Sequence, residues 1–220
     1  MEQITNLTEM AKNSHPTSRR IEYAPYSIKV AGMTMLKIIL GMEPDYQSIF
    51  KDEIRNLIMY AQGDKESIYD LEKAIGIIGP TGTGKTLTFK ALSEYLKIDD
   101  VKFLRNGNIS KFGFEVVSSR FLASHFIAKG FDGIEPYIIK PVLCIDDLGA
   151  EPDNITHYGN KLNLIQHIIE ERYMNNRITH FSSNNKMERI HDIYGDRVYS
   201  RLVGSTNIIT LVSEDWRQKS

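Results

Sequence analysis

The segment Gly79 to Thr86, GPTGTGKT, follows a short apolar run and opens a stretch free of helix breakers. An order of strand, glycine turn and helix with the spacing GxxxxGK[ST] restricts the chain more than any other feature it carries. Gly82 and Gly84 let backbone N–H groups turn inward around phosphate oxygens, and the following helix adds the positive end of its dipole. Lys85 then reaches the β and γ phosphates, and the Thr86 hydroxyl is a ligand for Mg²⁺ bridging them. The expected nucleotide-binding segment runs through Gly79, Pro80, Thr81, Gly82, Thr83, Gly84, Lys85, Thr86 and Leu87. The plain alternative is a glycine-rich turn with a chance lysine. Its placement between strand and helix argues against that.

Around this loop, strand-like and helix-like patterns alternate, as in a parallel sheet with crossover helices. Strands are expected over 74–79, 114–117, 141–146, 178–183 and 208–212, with helices over 85–97, 120–129 and 160–174 and around 197–203. Over 160–174 the spacing places Leu162, Ile165, Ile168, Ile169 and Tyr173 on one side, with Lys161, Glu170 and Arg172 elsewhere. The chain divides near residue 70. Residues 1–70 read as a polar arm followed by a helical lead-in over 46–61, and residues 71–220 as the nucleotide-binding domain.

The apolar run Val142 to Ile145 delivers Asp146 and Asp147 to a strand's C-terminal end. In an open parallel sheet ligands sit outside those ends, where the phosphate loop also lies. Asp146 is then the residue that orients Mg²⁺, and Asp147 the general base that polarises the attacking water. Asn184, at the end of ITHFSSNN, projects toward the same edge and suits the water or the γ-phosphate; the turn chemistry of Asn184 and Asn185 is the competing reading.

Composition sets the compartment and the partners. With 41% hydrophobic and 25% charged residues, the 220-residue chain is globular. No apolar run approaches the roughly 18 residues of a membrane span, and the first residues lack a secretory layout, so a cytoplasmic chain without membrane contact is expected. Twenty-seven basic residues balance 28 acidic ones, so attraction to nucleic acid needs a local patch. Lys97, Lys102, Arg105 and Lys111 form a loose basic run, with a candidate DNA contact over 102–112, set against a solvated face relieved by Asp99, Asp100 and Glu115; Phe112 and Phe114 are candidates to stack on bases, but the alternation in FGFEVV makes Phe114 a core candidate. The six histidines lack zinc-ligand spacing, and the single cysteine, Cys144, reads as core packing.

Taken together, the phosphate loop, IDDLGAE, EERY, THFSSN, YGDRVYSRL and DWR resemble the AAA+ ATPases of the DnaC/IstB group, helicase loaders and transposition helpers. The resemblance runs from about Ala74 to Arg217. It implies an α/β P-loop NTPase with a five-stranded parallel sheet of order 5-1-4-3-2 between helices. It further implies an ATPase using ATP and Mg²⁺, a replicative helicase or a transposase-type protein as partner, and DNA, single-stranded by preference. It gives Arg201, and less so Arg197, the role of a finger reaching the γ-phosphate of a neighbouring copy in a homo-oligomer. Pairing with Asp192, Asp196 or nearby acids is the alternative for both arginines. Two departures qualify the likeness. Asp147 stands where many AAA+ proteins have Glu, which implies slow hydrolysis without a partner, and Ser220 follows Trp216 too closely for a C-terminal helical lid. The leading reading is a helicase loader. The alternatives are a mobile-element helper, a small-molecule kinase and a nucleotide-dependent regulator without hydrolysis.

Overall fold

The computed structural model describes residues 51–61, 63–97, 103–105, 108–110, 113–152, 155–157 and 160–211. The expected N-terminal arm, Lys102, Lys111, Phe112, Trp216 and Arg217 lie outside them. Helices α1 (Lys51–Ala61), α2 (Lys85–Tyr95), α3 (Ser119–Lys129), α4 (Phe131–Ile139), α5 (Leu164–Met174) and α6 (Met187–Ser205) alternate with strands. The strands are β1 (Ala74–Ile78), β2 (Phe103–Arg105), β3 (Asn108–Ser110), β4 (Glu115–Ser118), β5 (Val142–Asp146), β6 (Ile155–His157), β7 (Asn160–Leu162), β8 (Ile178–Ser183) and β9 (Thr206–Thr210).

One five-stranded sheet has the order β4-β5-β8-β1-β9. Every pairing in it is parallel. Counting only its own strands, the order is 2-3-4-1-5, the expected 5-1-4-3-2 read from the other edge. All residues of β1 and of β5 are buried, which is why their sequences are continuous apolar runs instead of alternations. Ile75 and Ile77 face one core with Leu57 and Ile58 of α1 and Phe89 and Leu92 of α2. Ile78, Leu143 and Ile145 face the other, with Leu122, Ile165, Ile168 and Val198 from the remaining helices. Gly76 in the middle of β1 makes room for a neighbouring ring: a Cβ there would stand 2.5 Å from Phe181. Cys144 is fully buried, and burial first, then Asp146, raises its thiol pKa well above the ordinary value.

Several elements differ from the sequence expectation. Helix α5 starts at Leu164, four residues late, because Asn163 caps it by accepting from the Gln166 N–H at 3.1 Å; residues 160–162 pair with β6 in a hairpin. Within α5, Arg172 is fully buried and Tyr173 is 46% exposed, the reverse of the expected faces. The fifth strand lies two residues earlier than expected, and the helix before it is far longer, although broken by non-helical Gly195 (φ 75°, ψ 174°). Nothing in the sequence pattern offers α4, since Gly130, Gly133 and Pro136 read as breakers. Gly133 is needed there for close approach, since a Cβ would stand 2.6 Å from the His125 carbonyl of α3. Of the two readings for Phe114, core packing holds and base stacking does not: it is 5% exposed, with its ring 4.8 Å from that of His180. No described helix is long and apolar enough to cross a membrane.

Candidate functional site

Because β5, β8 and β1 are parallel neighbours, their C-terminal ends open on one edge of the sheet. The chain leaves β1 through Gly79, whose N–H donates to the Ser183 carbonyl at 3.1 Å. Gly79 has φ 154° and packs so tightly on the Leu211 carbonyl that a Cβ would overlap it. Gly82 (φ 84°) and Gly84 (φ 80°) take the left-handed region, and Gly84 is the N-cap of α2. The loop therefore ends on the positive pole of α2, with Pro80 and Thr81 at its exposed rim. Thr83 is buried and donates to the Pro80 carbonyl at 2.9 Å, fixing the turn from inside. Leu87 packs against the first core and anchors the start of α2.

Lys85 is 5% exposed. Its Nζ donates to the carbonyls of Gly79 (2.8 Å) and Pro80 (2.7 Å) and to Asn184 Oδ1 (2.7 Å). Asn184 in turn donates from Nδ2 to Asp147 Oδ1 at 3.2 Å. On the other side of the loop, the Thr86 hydroxyl donates to the Asp146 carboxylate at 2.8 and 3.0 Å. Thus Lys85, Thr86, Asp146, Asp147 and Asn184, brought from β1, β5 and β8, share one hydrogen-bonded edge. Asp147 holds a left-handed backbone (φ 54°), which aspartate tolerates better than most residues. Its N–H donates to Ser182 Oγ at 3.0 Å, and its carbonyl accepts from Ser119 Oγ at 2.8 Å. Gly149 (φ 86°) completes the turn, where a Cβ would stand 2.5 Å from Asn185 Nδ2.

The donor set suits a small hard cation. The Thr86 hydroxyl and the Asp146 carboxylate are oxygen donors of the kind that would hold a Mg²⁺.

Arg201 lies apart from this cluster in its contacts. Its guanidinium stands 5.0 Å over the Tyr173 ring and 3.7 Å from Glu170 Oε1, both on α5. Arg197, far more exposed, lies 3.8 Å from the same carboxylate. Asp192 and Asp196 serve other partners, Arg189 and His191, so Glu170 is the acid that both arginines meet.

Sequence reasoning passed over three residues that organise the site. Ser182, fully buried, also donates to Asp146 Oδ1; Ser119 fixes the Asp147 carbonyl; and Glu151 accepts from the Gly149 N–H at 3.0 Å and from the Tyr194 hydroxyl. For Ser182 a signal existed. It stands two residues before Asn184, hence on the same side of β8, and β8 adjoins the strand bearing the acids.

No protein-family model matches the sequence, and no curated protein matches it. Solved structures do resemble the fold. DnaI is 18% identical over 79% of this chain and 86% of its own, with a TM-score of 0.53. AMPPCP-bound DnaA from Aquifex aeolicus is 18% identical over 74% of this chain and 46% of its own, at 0.50. The DnaC helicase loader is 19% identical over 77% and 92%, at 0.49. At such identities the likeness establishes the fold alone, a parallel five-stranded sheet between helices.

Proposed function

We propose that this AAA+ core binds Mg²⁺-ATP at the β1–β8–β5 edge, hydrolyses it, and uses the cycle to assemble a replicative helicase on DNA. The observation that carries the chemistry is the chain of contacts from Lys85 through Asn184 to Asp147, beside the Thr86–Asp146 pair. Groups that hold a triphosphate, a cation and a water are thereby within reach of one another. Lys85 and the loop amides hold the β and γ phosphates. Thr86 and Asp146 would hold Mg²⁺, which when bound would supply charge neutralisation for the phosphates. Asp147 accepts the proton of the attacking water, and Asn184 fixes the carboxylate that accepts it.

That the DnaA of the same fold was solved with AMPPCP supports ATP as the nucleotide. The fold shared with DnaI supports an assembly factor over a small-molecule kinase. The chain's own residues 1–70 are proposed as the partner-binding part. Phosphate release measured with and without single-stranded DNA tests the reading. Turnover below about 10 per second alone, rising on DNA or helicase, is expected; transfer only to a metabolite would replace it with a kinase, and neither activity with a regulator.

Arg201 is proposed as the residue contributed to a neighbouring copy. It must first leave Glu170 and Tyr173, a modest cost, since a partly exposed ion pair and a cation–π contact contribute about 1 kcal/mol each. Light scattering is expected to show larger assemblies with ATP than with ADP, and none with ATP for Arg201→Ala. Equal assembly by that variant would leave Arg201 as a surface residue of α6.

A further inference from the structure

Ser182 does more than fill β8. We propose that its hydroxyl is the positioning group that sets both carboxylate residues of the site at once, a role that rests on the hydrolase reading above. Ser182 is 0% exposed, and its hydroxyl stands between two neighbours in sequence that face different tasks. It donates its single proton to Asp146 Oδ1 and accepts the backbone N–H of Asp147 at 3.0 Å. A hydroxyl has one proton and two lone pairs, so these two bonds have fixed and opposite directions.

The consequences differ at each end. At Asp146, Ser182 shares the carboxylate with Thr86, whose hydroxyl approaches Oδ2 at 2.8 Å. Between them the two hydroxyls hold both carboxylate oxygens, Thr86 also approaching Oδ1 at 3.0 Å. At Asp147, the hydroxyl satisfies an N–H on a residue whose backbone is left-handed. Without that acceptor the turn has less reason to keep φ at 54°, and the side chain that meets Asn184 at 3.2 Å leaves its place. One oxygen thus couples the cation ligand to the base, as outer groups around metal ligands do elsewhere.

Ser183 is the internal control. It is equally buried, and its hydroxyl also makes two bonds, donating to the Leu148 carbonyl at 2.5 Å and accepting from the Asn185 N–H at 3.1 Å. Neither partner is a carboxylate.

The test is phosphate release by the full chain at saturating ATP, titrated with MgCl₂. Nucleotide affinity is measured separately in EDTA, and unfolding midpoints are taken for each variant. Ser182→Ala is expected to lower kcat about 10- to 100-fold and to raise half-saturating Mg²⁺ at least about threefold. Its affinity in EDTA stays within about threefold, because the phosphate loop is untouched. Ser183→Ala is expected to lower the unfolding midpoint as much as Ser182→Ala does and to keep kcat within about threefold. Should Ser182→Ala fail to fold, Ser182→Thr and Ser182→Val, alike in shape and different in the hydroxyl, carry the same comparison, with the threonine variant the more active. Equal kcat losses for the two alanine variants, or an unchanged Mg²⁺ requirement in Ser182→Ala, would overturn the proposal alone. A wild-type chain that binds nucleotide without turning it over would overturn the hydrolase reading, and this proposal with it.

Discussion

Asp147→Asn is expected to lower ATP turnover by about 100-fold or more while Mg²⁺-nucleotide affinity stays within about threefold, because the proposed general base loses its proton-accepting group. The barrier then rises by about 3 kcal/mol, each tenfold in rate being about 1.4 kcal/mol. The substitution is chosen because it spares the fold. Asparagine accepts the left-handed backbone of this position (φ 54°) as readily as aspartate does. Its amide oxygen still offers an acceptor to Asn184 Nδ2, 3.2 Å from the present carboxylate. Single-turnover phosphate release beside equilibrium binding of a fluorescent ATP analogue separates the two quantities. Undiminished turnover would remove Asp147 from the chemistry, and a collapse of binding would make it a structural ligand instead.

The second large effect lies far from the nucleotide edge. Arg172 is fully buried, and its guanidinium donates from Nη1 to the carbonyls of Tyr137 (2.6 Å), Ile138 (3.2 Å) and Lys140 (2.8 Å). From Nη2 it donates to the Ile178 carbonyl at 2.5 Å, and from Nε to Thr179 Oγ1 at 2.9 Å. It therefore gathers the end of α4, whose terminal carbonyls carry partial negative charge, onto the first residues of β8. Burial, with the charge of Arg177 second, lowers its pKa to about 9, so it remains charged at neutral pH. Arg172→Leu leaves these acceptors without their donor, at about 1–3 kcal/mol for each that water fails to reach. A total loss of about 3–5 kcal/mol follows, a large share of a typical domain's stability. The unfolding temperature is expected to fall by about 10 °C, at about 2–4 °C per kcal/mol for a chain of this size. Arg172→Lys recovers little, because one ammonium cannot occupy the fork that five acceptors define. A urea midpoint for Arg172→Leu equal to that of the wild type would show that the contacts contribute nothing net.

Arg172 also shows where sequence reading stops. A helical wheel assigns faces from apolar spacing, and it has no access to the carbonyl cluster that Tyr137, Ile138 and Lys140 bring to the charged side. The neighbouring Tyr173, counted as core, is turned outward under Arg201 for the same reason. By contrast, the central sheet was legible because β1 and β5 are buried on both faces, and their runs of Ala, Val, Ile and Leu admit little else. That Lys85, Thr86, Asp146, Asp147 and Asn184 gather on one edge was legible as well, since parallel strands must bring their C-terminal ends to one side. What escaped were the hairpins β2–β3 and β6–β7, whose three-residue strands are too short for any period to register. Ser182 escaped for another reason: its spacing from Asn184 places it on the right side of β8, but its partners became evident only once β8 was known to adjoin the strand bearing the acids.

The break at Gly195 has a structural result. Beyond it, the second half of α6 carries Arg201 and runs without a linker into β9, which pairs along the whole of β1 from Ala74 to Ile78. Leu211 continues that grip by donating its N–H to the Ile78 carbonyl at 2.8 Å, just where the chain turns into the glycine loop. Arg201 and the root of that loop are thus joined by one continuous run of helix and strand, so the proposed intermolecular contact and the proposed phosphate site lie at the two ends of a single stretch of hydrogen-bonded backbone.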